Sequence, residues 1–500
     1  MGEITTAIVS VSDKAGLVDF AKGLVAKGVR IIASEGTEAF LVKSGIECQN
    51  ISQLVGRAKI LGGLVKTLGA GIHAGILADR SNRSHLEELE RLGFTKIDMV
   101  VVNFYPIPSR ASRDFSFIDI GGPAMLRAAA KNFRSCVAVS HPCWYERVLS
   151  ELGSTGRIGE DLRWELATDA LRRTGTYDAL ALDAVGLGPA GGPEDSSVLI
   201  GMEKSLALRY GENPHQAAGY FAPRSAPAPE VLKGEISYNN LLDADCAVET
   251  LREFEGKAAV VVKHGSPCGV AEADTEADAL ERAYAADPLS AFGGVVGVNF
   301  TFSAECAGVL GKRFVECIVA PEFSADALAL LSKKKARLVS VAPGPARPVR
   351  VRSALAGILV QASDAVLLVK DLECVTGPRP AAKVLDDLLF AWKVAKHVRS
   401  NAIVFAGGGR TLGIGAGQPS RVDAARFAIE KAAQAGHDLK GSVVASDGFF
   451  PFPDSLELAA AAGAEAAIQP GGSKKDAEVI AAAKRLGLVM VFTGTRHFRH

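Results

Sequence analysis

Ala7-Ile8-Val9-Ser10-Val11 is a short, nearly uninterrupted apolar run of the kind that fills a strand buried on both faces. A helical spacing follows, with apolar residues at Leu17, Phe20, Ala21, Leu24 and Val25. Gly28 stops that helix and Val29 to Ala33 returns as a second strand, so the first forty residues predict one βαβ unit. Ser12 occupies the expected N-cap and Asp13 the first turn, which puts Ser12-Asp13-Lys14 at a strand-to-helix mouth. Ser34-Glu35-Gly36-Thr37 makes another, ahead of a helix through Phe40 and Leu41. Capping alone accounts for a lone Ser or Thr; two helix N-termini beside one sheet edge also suit a phosphate, through unpaired N–H groups and the positive end of the dipole.

Met99 to Val102 is a further buried strand, ending at Asn103-Phe104-Tyr105-Pro106, and polar groups at strand C-terminal ends face the usual α/β crevice. Ala258 to Val262 is another, and it stops at Lys263-His264-Gly265-Ser266-Pro267-Cys268-Gly269. That stop sets an ammonium beside an imidazole. The imidazole can take a proton from a weak amine nucleophile near neutral pH, while the ammonium can stabilise an oxyanion. A satisfied histidine and a solvated lysine are the plainer account, since Gly and Pro follow at once.

Five hundred residues exceed one hydrophobic core, and a 48% hydrophobic fraction is ample for several. A helical stretch from Asp161 through Tyr177 precedes Gly186 to Ser197, whose Gly, Pro and Ser read as a linker. Ala222 to Pro229 and Ala342 to Pro348 read as surface loops, the second dividing the C-terminal region. The expected domains are therefore 1–190, 198–345 and 346–500, and no short internal repeat is visible. Lys plus Arg equals Asp plus Glu at 56 each, so no net field draws the chain onto nucleic acid or an anionic membrane, and a bound anion must meet local charge. Eight cysteines lack any Cys-x-x-Cys pair, which argues against a zinc knuckle or disulfide framework. The 6% aromatic content suits layered α/β packing. The chain enters its first strand without a basic leader, and no run approaches about 18 apolar residues, so a cytoplasmic location is expected.

Leu208 to Gln216 gathers Arg209, Tyr210, Asn213 and His215 on a loop, where Arg can fork onto phosphate and Tyr can pack on a heterocycle, although loops collect polar residues anyway. Asp287 to Gly294 is a turn with a Gly pair. Gly413 to Arg421 puts flexible backbone before an arginine but lacks the G-x-G-x-x-G spacing. The basic terminus, Thr495 to His500, is expected to be docked because Leu488 to Phe492 leads into it.

The motifs LRYGENPHQ from Leu208, SYNNLLDAD from Ser237, VVKHGSPCGVA from Val261, DPLSAFGG from Asp287, IGAGQPSRVDAA from Ile414, ASDGFFPF from Ala445 and RHFRH from Arg496 stand in order along the chain. SVSDK from Ser10, VKTL from Val65 and IDIGGPAMLRAAAKN from Ile118 precede them. With these the sequence closely resembles, over nearly its whole length, the bifunctional phosphoribosylaminoimidazolecarboxamide (AICAR) formyltransferase and inosine monophosphate (IMP) cyclohydrolase family.

The resemblance implies an α/β fold: a methylglyoxal-synthase-like parallel-sheet domain, then two cytidine-deaminase-like domains. It implies formyl transfer from 10-formyltetrahydrofolate as co-substrate, then ring closure, in a cytoplasmic homodimer without nucleic-acid or membrane partners. No metal centre is implied, since Pro267-Cys268 lacks the second cysteine of the deaminase zinc motif; a monovalent cation is compatible. Carried over, Lys263 and His264 serve formyl transfer. Arg209, Tyr210, Asn240, Gly293, Glu316, Asn401, Phe449 and Arg496 hold the nucleotide, and Arg421, Asp454 and Ser473 lie near the folate. For closure, Lys66, Tyr105, Asp119 and Lys131 are catalytic, with Ser12, Lys14, Ser34, Thr37, Thr67 and Asn103 on the nucleotide. The chain departs from relatives at Leu64 and Gly69, where they have arginine and histidine, at Glu35, and in a shorter Tyr105 to Asp119 connection; Arg57 or Lys59 are the candidate substitutes. The alternative these departures raise is an active transformylase whose N-terminal domain is only a nucleotide-binding or structural module. A lyase like methylglyoxal synthase would leave the downstream motifs unexplained.

Overall fold

Strands that are apolar on both faces require helices on both sides, and the first part of the chain meets that requirement with an all-parallel sheet. The structure is a computed structural model that describes residues 3–55, 61, 65–111, 113–186, 193–223, 226, 228–341, 344, 349–368 and 371–500. Arg57, Lys59, Leu64, residues 187–192 of the glycine-rich linker and the expected boundary at 345–346 lie outside the described residues. Two compact units result, residues 1–203 with 223–225, and residues 204–222 with 226–500.

The first unit runs β1 (Thr6–Ser10), α1 (Leu17–Ala26), β2 (Arg30–Ala33), α2 (Glu35–Lys43), β3 (Gln49–Asn50), α3 (Ser52–Val55), α4 (Ala70–Leu77), α5 (Arg83–Leu92), β4 (Met99–Val102), α6 (Gly121–Lys131), β5 (Val137–Val139), α7 (Tyr145–Thr155) and α8 (Glu160–Ala184). Its five strands lie in the order β3-β2-β1-β4-β5, with parallel pairing throughout. One face of the sheet packs on Leu17, Phe20 and Leu24 of α1 and Val148 and Leu152 of α7. Ile72, Ile76, Met125 and Leu126 of α4 and α6 cover the other.

The entry to α1 differs from expectation. Gly16, at φ 66°, is the N-cap, so Ser12 caps nothing and Asp13 lies before the helix. The physical reason is that Asn103, ninety residues on, accepts the Ser12 and Asp13 N–H groups that a helix would have used.

The second unit opens with the pair β6 (Glu203–Leu208) and β7 (Ala218–Ala222). A six-stranded sheet follows, built from β8 (Glu230–Lys233), α9 (Tyr238–Leu251), β9 (Ala258–Lys263), β10 (Ser266–Glu272), α10 (Glu276–Ala285), α11 (Pro288–Ala291), β11 (Val295–Val298), α12 (Ala304–Leu310), β12 (Cys317–Ala320), α13 (Ala325–Leu331) and β13 (Arg337–Ser340). The hairpin of β14 (Val349–Ala354) and β15 (Gly357–Ala362) separates it from a second six-stranded sheet. That sheet comprises β16 (Glu373–Cys374), α14 (Ala382–Ala395), β17 (Ile403–Ala406), β18 (Thr411–Gly415), α15 (Arg421–Gln434), β19 (Val443–Ser446), α16 (Asp454–Ala461), β20 (Ala466–Gln469), α17 (Asp476–Leu486) and β21 (Val489–Phe492).

The strand orders, β10-β9-β11-β12-β13-β8 and β18-β17-β19-β20-β21-β16, are the same order of corresponding elements. Parallel and antiparallel pairings match strand for strand. The second unit is thus a topological duplication that no short sequence repeat announces. In each copy a glycine of the second hairpin strand lets the following helix approach: a Cβ on Gly269 would overlap the Ala283 carbonyl, and one on Gly413 the Ala428 carbonyl. Gly413 and Gly415, expected to be flexible, are close-packed strand residues. The copies meet through β10 and β18, where the Val270 N–H donates to Thr411 Oγ1 at 3.0 Å and the Glu272 N–H to the Gly409 carbonyl at 2.9 Å.

Candidate active sites

In the first unit, three strand ends converge. Asn103, just past β4, accepts the Ser12 N–H at 2.6 Å and the Asp13 N–H at 2.9 Å through Oδ1, and its Nδ2 donates to the Asp13 carbonyl at 2.9 Å. Thr37, buried in the first turn of α2, accepts the Val11 N–H at 3.2 Å. The Ser34 hydroxyl stands 3.3 Å and the Lys14 ammonium 3.4 Å from the same oxygen. Burial lowers the Lys14 pKa, opposed by the Asp13 charge. Ser34 precedes α2 without capping it through its side chain, and Glu35 is exposed at the first helical position. Ser12, Lys14, Ser34, Thr37 and Asn103 are therefore brought together around the N-terminus of α2, an arrangement suited to a phosphate.

A second group surrounds the start of α6. Asp119 Oδ1 accepts the Gly122 N–H at 2.9 Å, and the Asp119 N–H donates to the Tyr177 hydroxyl at 2.9 Å. Burial pushes the Asp119 carboxyl up, against hydrogen bonds from the Gly122 and Tyr105 backbone and the nearby Lys66 ammonium. Thr67 is buried against Gly121, where a Cβ would overlap its hydroxyl. A Cβ on Gly122 would lie 3.1 Å from Val102, so the group stands over the end of β4. The Tyr105 ring is 54% exposed. Lys66, Thr67, Tyr105 and Asp119 are thus assembled, but Lys131 is not: it ends the 11-residue α6, roughly 15 Å along the axis from the helix start. Tyr177 escaped the sequence reading because it appears only as a helical position on α8.

In the second unit, Lys263 pairs with Ser266 across a two-residue turn whose central residues are both left-handed, His264 at φ 54° and Gly265 at φ 71°. This is the twist-matched hairpin turn. The Lys263 ammonium donates to the Phe292 carbonyl at 3.0 Å and the Gly293 carbonyl at 2.9 Å, while the imidazole of His264 stands exposed at the tip. From behind, Asp243 on α9 accepts the Gly265 N–H at 2.6 Å. Burial raises the Asp243 carboxyl, opposed by the Gly265 hydrogen bond, the His264 charge and N–H, and the Lys263 charge. A Cβ on Gly265 would lie 2.9 Å from the Arg399 guanidinium. Neither Asp243 nor Arg399 was expected; the available signal for Asp243 was its place one turn after Asn240 within SYNNLLDAD.

Asn240 itself is buried, its amide oxygen engaged with the Ser237 N–H and hydroxyl in a capping box that starts α9. Glu316 pairs with Arg337 at 2.7 Å, and its N–H donates to the Gly294 carbonyl beside Gly293. The Arg209 guanidinium lies over the Tyr210 ring at 4.6 Å, and the Tyr210 carbonyl accepts the Tyr238 N–H at the start of α9. Arg209 and Tyr210 are thus about 7–8 Å along that helix from Asp243.

Around Asp447 a further group forms. Arg421 is paired with Asp447 at 2.8 Å and donates to Ser446 at 2.9 Å. Phe498 lies beneath both the Arg421 and Arg496 guanidinium groups, at 5.6 and 4.5 Å. Ser400 hydrogen-bonds Asp447, and Asn401 donates to the Gln418 and Pro419 carbonyls, so the stretch Arg399-Ser400-Asn401 joins the hairpin tip to this group. The terminus is docked, with His497 buried and its N–H on the Asp447 carbonyl. Phe449 is 38% exposed. Asp454 begins α16, and Ser473 accepts the Lys475 N–H, whose ammonium covers Phe452 at 4.3 Å. A surface cavity of about 600 Å³ between Thr376–Ala381 and Lys484–Val489 holds none of these residues. Among the described residues, no group of three or more His, Cys, Asp or Glu is placed to hold a metal ion.

Fold and sites define a two-unit α/β protein with a lysine–histidine hairpin tip in the second unit and a polar cluster at a helix N-terminus in the first. An MGS-like domain matches residues 16–121, and the AICARFT/IMPCHase bienzyme matches residues 129–431. The chain is 45% identical over 518 aligned residues to the bifunctional purine biosynthesis protein PurH of Desulfitobacterium hafniense, in strain DSM 10664 / DCB-2 and in strain Y51, covering 99% of this chain and 99% of each relative. The crystal structure of ForH is 38% identical, over 36% of this chain and 98% of that chain, with a TM-score of 0.34. The chain belongs to the AICARFT/IMPCHase bienzyme family.

Proposed function

We propose that the chain transfers a formyl group from 10-formyltetrahydrofolate to the 5-amino group of AICAR and then closes the formylated product to IMP with loss of water. The observation that carries the first step is the hairpin tip. Two carbonyls hold the Lys263 ammonium at 3.0 and 2.9 Å, leaving one of its three protons for the oxyanion that forms on the formyl carbon. His264, exposed beside it, takes the amine proton as the new C–N bond forms. Arg209, Tyr210, Gly293, Glu316, Asn401, Phe449 and Arg496 hold the nucleotide, and Arg421, Asp454 and Ser473 the folate. Asn240 supports the site through the α9 cap. The test is His264→Ala: single-turnover formyl transfer should slow by about two to four powers of ten. An unchanged rate overturns the assignment.

Ring closure belongs to the first unit. Ser12, Lys14, Ser34, Thr37 and Asn103 cradle the phosphate, with Thr67 nearby. Asp119, whose burial favours its protonated form, donates toward the departing water while Lys66 and Tyr105 handle the remaining protons. Lys131, at the far end of α6, stands outside this group within one chain. Supplying the formylated nucleotide alone should yield IMP, followed by absorbance, faster than the uncatalysed closure. A rate equal to the uncatalysed one would leave the first unit as a binding module. The reading extends to two cytidine-deaminase-like domains over 198–345 and 346–500, supported by the matched strand orders, and, on the resemblance, to a cytoplasmic homodimer that shares the formyl-transfer site.

A further inference from the structure

We propose that Asp243 is a positioning residue for formyl transfer, holding the His264–Gly265 turn from the α9 side and setting a negative charge behind the imidazole and ammonium. This rests on the Lys263–His264 assignment. The duplication supplies the argument. Asp243 is the sixth residue of α9 and Asp387 the sixth residue of α14. Each helix precedes its sheet's hairpin, and each carboxylate accepts an N–H from that hairpin's turn: Gly265 to Asp243 at 2.6 Å, and Gly409 to Asp387 at 3.0 Å. The second turn reads Gly407-Gly408-Gly409-Arg410 and carries neither imidazole nor ammonium. The same anchor therefore serves one turn that only needs holding and another that bears the chemistry.

Two consequences belong to the first turn alone. His264 is a non-glycine residue at φ 54°, a left-handed conformation that L residues rarely adopt, and the hydrogen bonds from His264 and Gly265 to Asp243 keep it there. The Asp243 carboxyl also lies within electrostatic reach of the imidazole. As the amine nitrogen bonds the formyl carbon, its proton passes to His264; the bond from that carbon to N10 of the folate then breaks, its electron pair returns to N10, and a proton follows. The positive charge that His264 acquires is the one Asp243 faces.

The experiment compares Asp243→Asn with Asp387→Asn in the full chain, reading kcat and KM for formyl transfer and the thermal midpoint. Asparagine keeps an acceptor for the turn N–H and removes the charge. Asp243→Asn should lower kcat roughly 10- to 100-fold with the nucleotide KM within about threefold, while Asp387→Asn leaves kcat within about twofold. In a His264→Ala background, Asp243→Asn should cost little more, because its effect passes through the imidazole. Equal kcat losses in the two single variants, a folded Asp243→Asn with the parental kcat, or full additivity with His264→Ala would each overturn the proposal. Should Asp243→Asn fail to fold, Asp243→Glu takes its place, and a parental kcat there with the charge displaced would also overturn it. If His264→Ala alone leaves the rate unchanged, the underlying assignment fails instead.

Discussion

The two sheets of the second unit share strand order, a hairpin in the same place and a helix carboxylate on each hairpin turn, yet only one turn bears groups able to move a proton. The difference lies in a few residues, Lys263-His264-Gly265-Ser266 against Gly407-Gly408-Gly409-Arg410. The scaffold supplies an exposed tip, and on the proposed assignment the side chains at the tip supply the reaction. The second copy contributes otherwise: its cluster of Arg421, Asp447 and Phe498 is tied through Ser400 and the adjoining Arg399 to Ser266 of the first copy's hairpin.

The largest effect expected from breaking this asymmetry is on Lys263. Lys263→Met removes the proposed oxyanion donor along with both carbonyl contacts, and kcat for formyl transfer should fall about 10²- to 10³-fold in steady-state assays. Next come the shared elements. Gly269→Ala and Gly413→Ala each force a methyl group into a helix carbonyl, and each should cost about 3 kcal/mol in denaturant unfolding, near the upper end for overpacking. Similar losses in both would confirm that the copies are built alike; a loss in one alone would break the comparison.

The smallest effect joins the copies. Glu253, just past α9, pairs with Lys396 at 2.8 Å and with His397 Nε2 at 3.0 Å, both just past α14. Burial would raise the Glu253 carboxyl, but the hydrogen bonds and charges of His397 and Lys396 hold it down at about 2. Burial also lowers the His397 pKa, opposed by its hydrogen bond to Glu253 and the Glu253 charge, while Nδ1 accepts from Arg499. Unfolded, a glutamate binds its proton near pH 4.3, so between that value and about 2 the unfolded state holds more protons than the folded one. The stability from Glu253 is therefore complete above that window and lost as pH falls through it. Between pH 6 and pH 3 the parent should lose about 1–2 kcal/mol more than Glu253→Gln, measured by denaturant titration at each pH.

The βαβ opening and the strand end that carries Lys263 and His264 were legible because each apolar run, Ala7 to Val11 and Ala258 to Val262, ends abruptly in polar residues. The start of α1 was not, since the partner that takes the Ser12 and Asp13 N–H groups is Asn103 on another strand. The duplication was hidden for a related reason. A strand buried on both faces needs only apolar residues, so Ala258-Ala259-Val260-Val261-Val262 and Ile403-Val404-Phe405-Ala406 do the same work without resembling one another. Asp243 and Tyr177 act across long sequence separations, 22 residues to Gly265 and 58 to Asp119, that spacing does not reveal.

β10 and β18 are each the outermost strand of their sheet. Left bare, such a margin would recruit any passing chain by backbone pairing and seed aggregates. Here each margin is shielded by its counterpart, so a fragment cut between the copies would carry an open template along Val270 to Glu272, and solubility becomes a property that the halves hold only jointly.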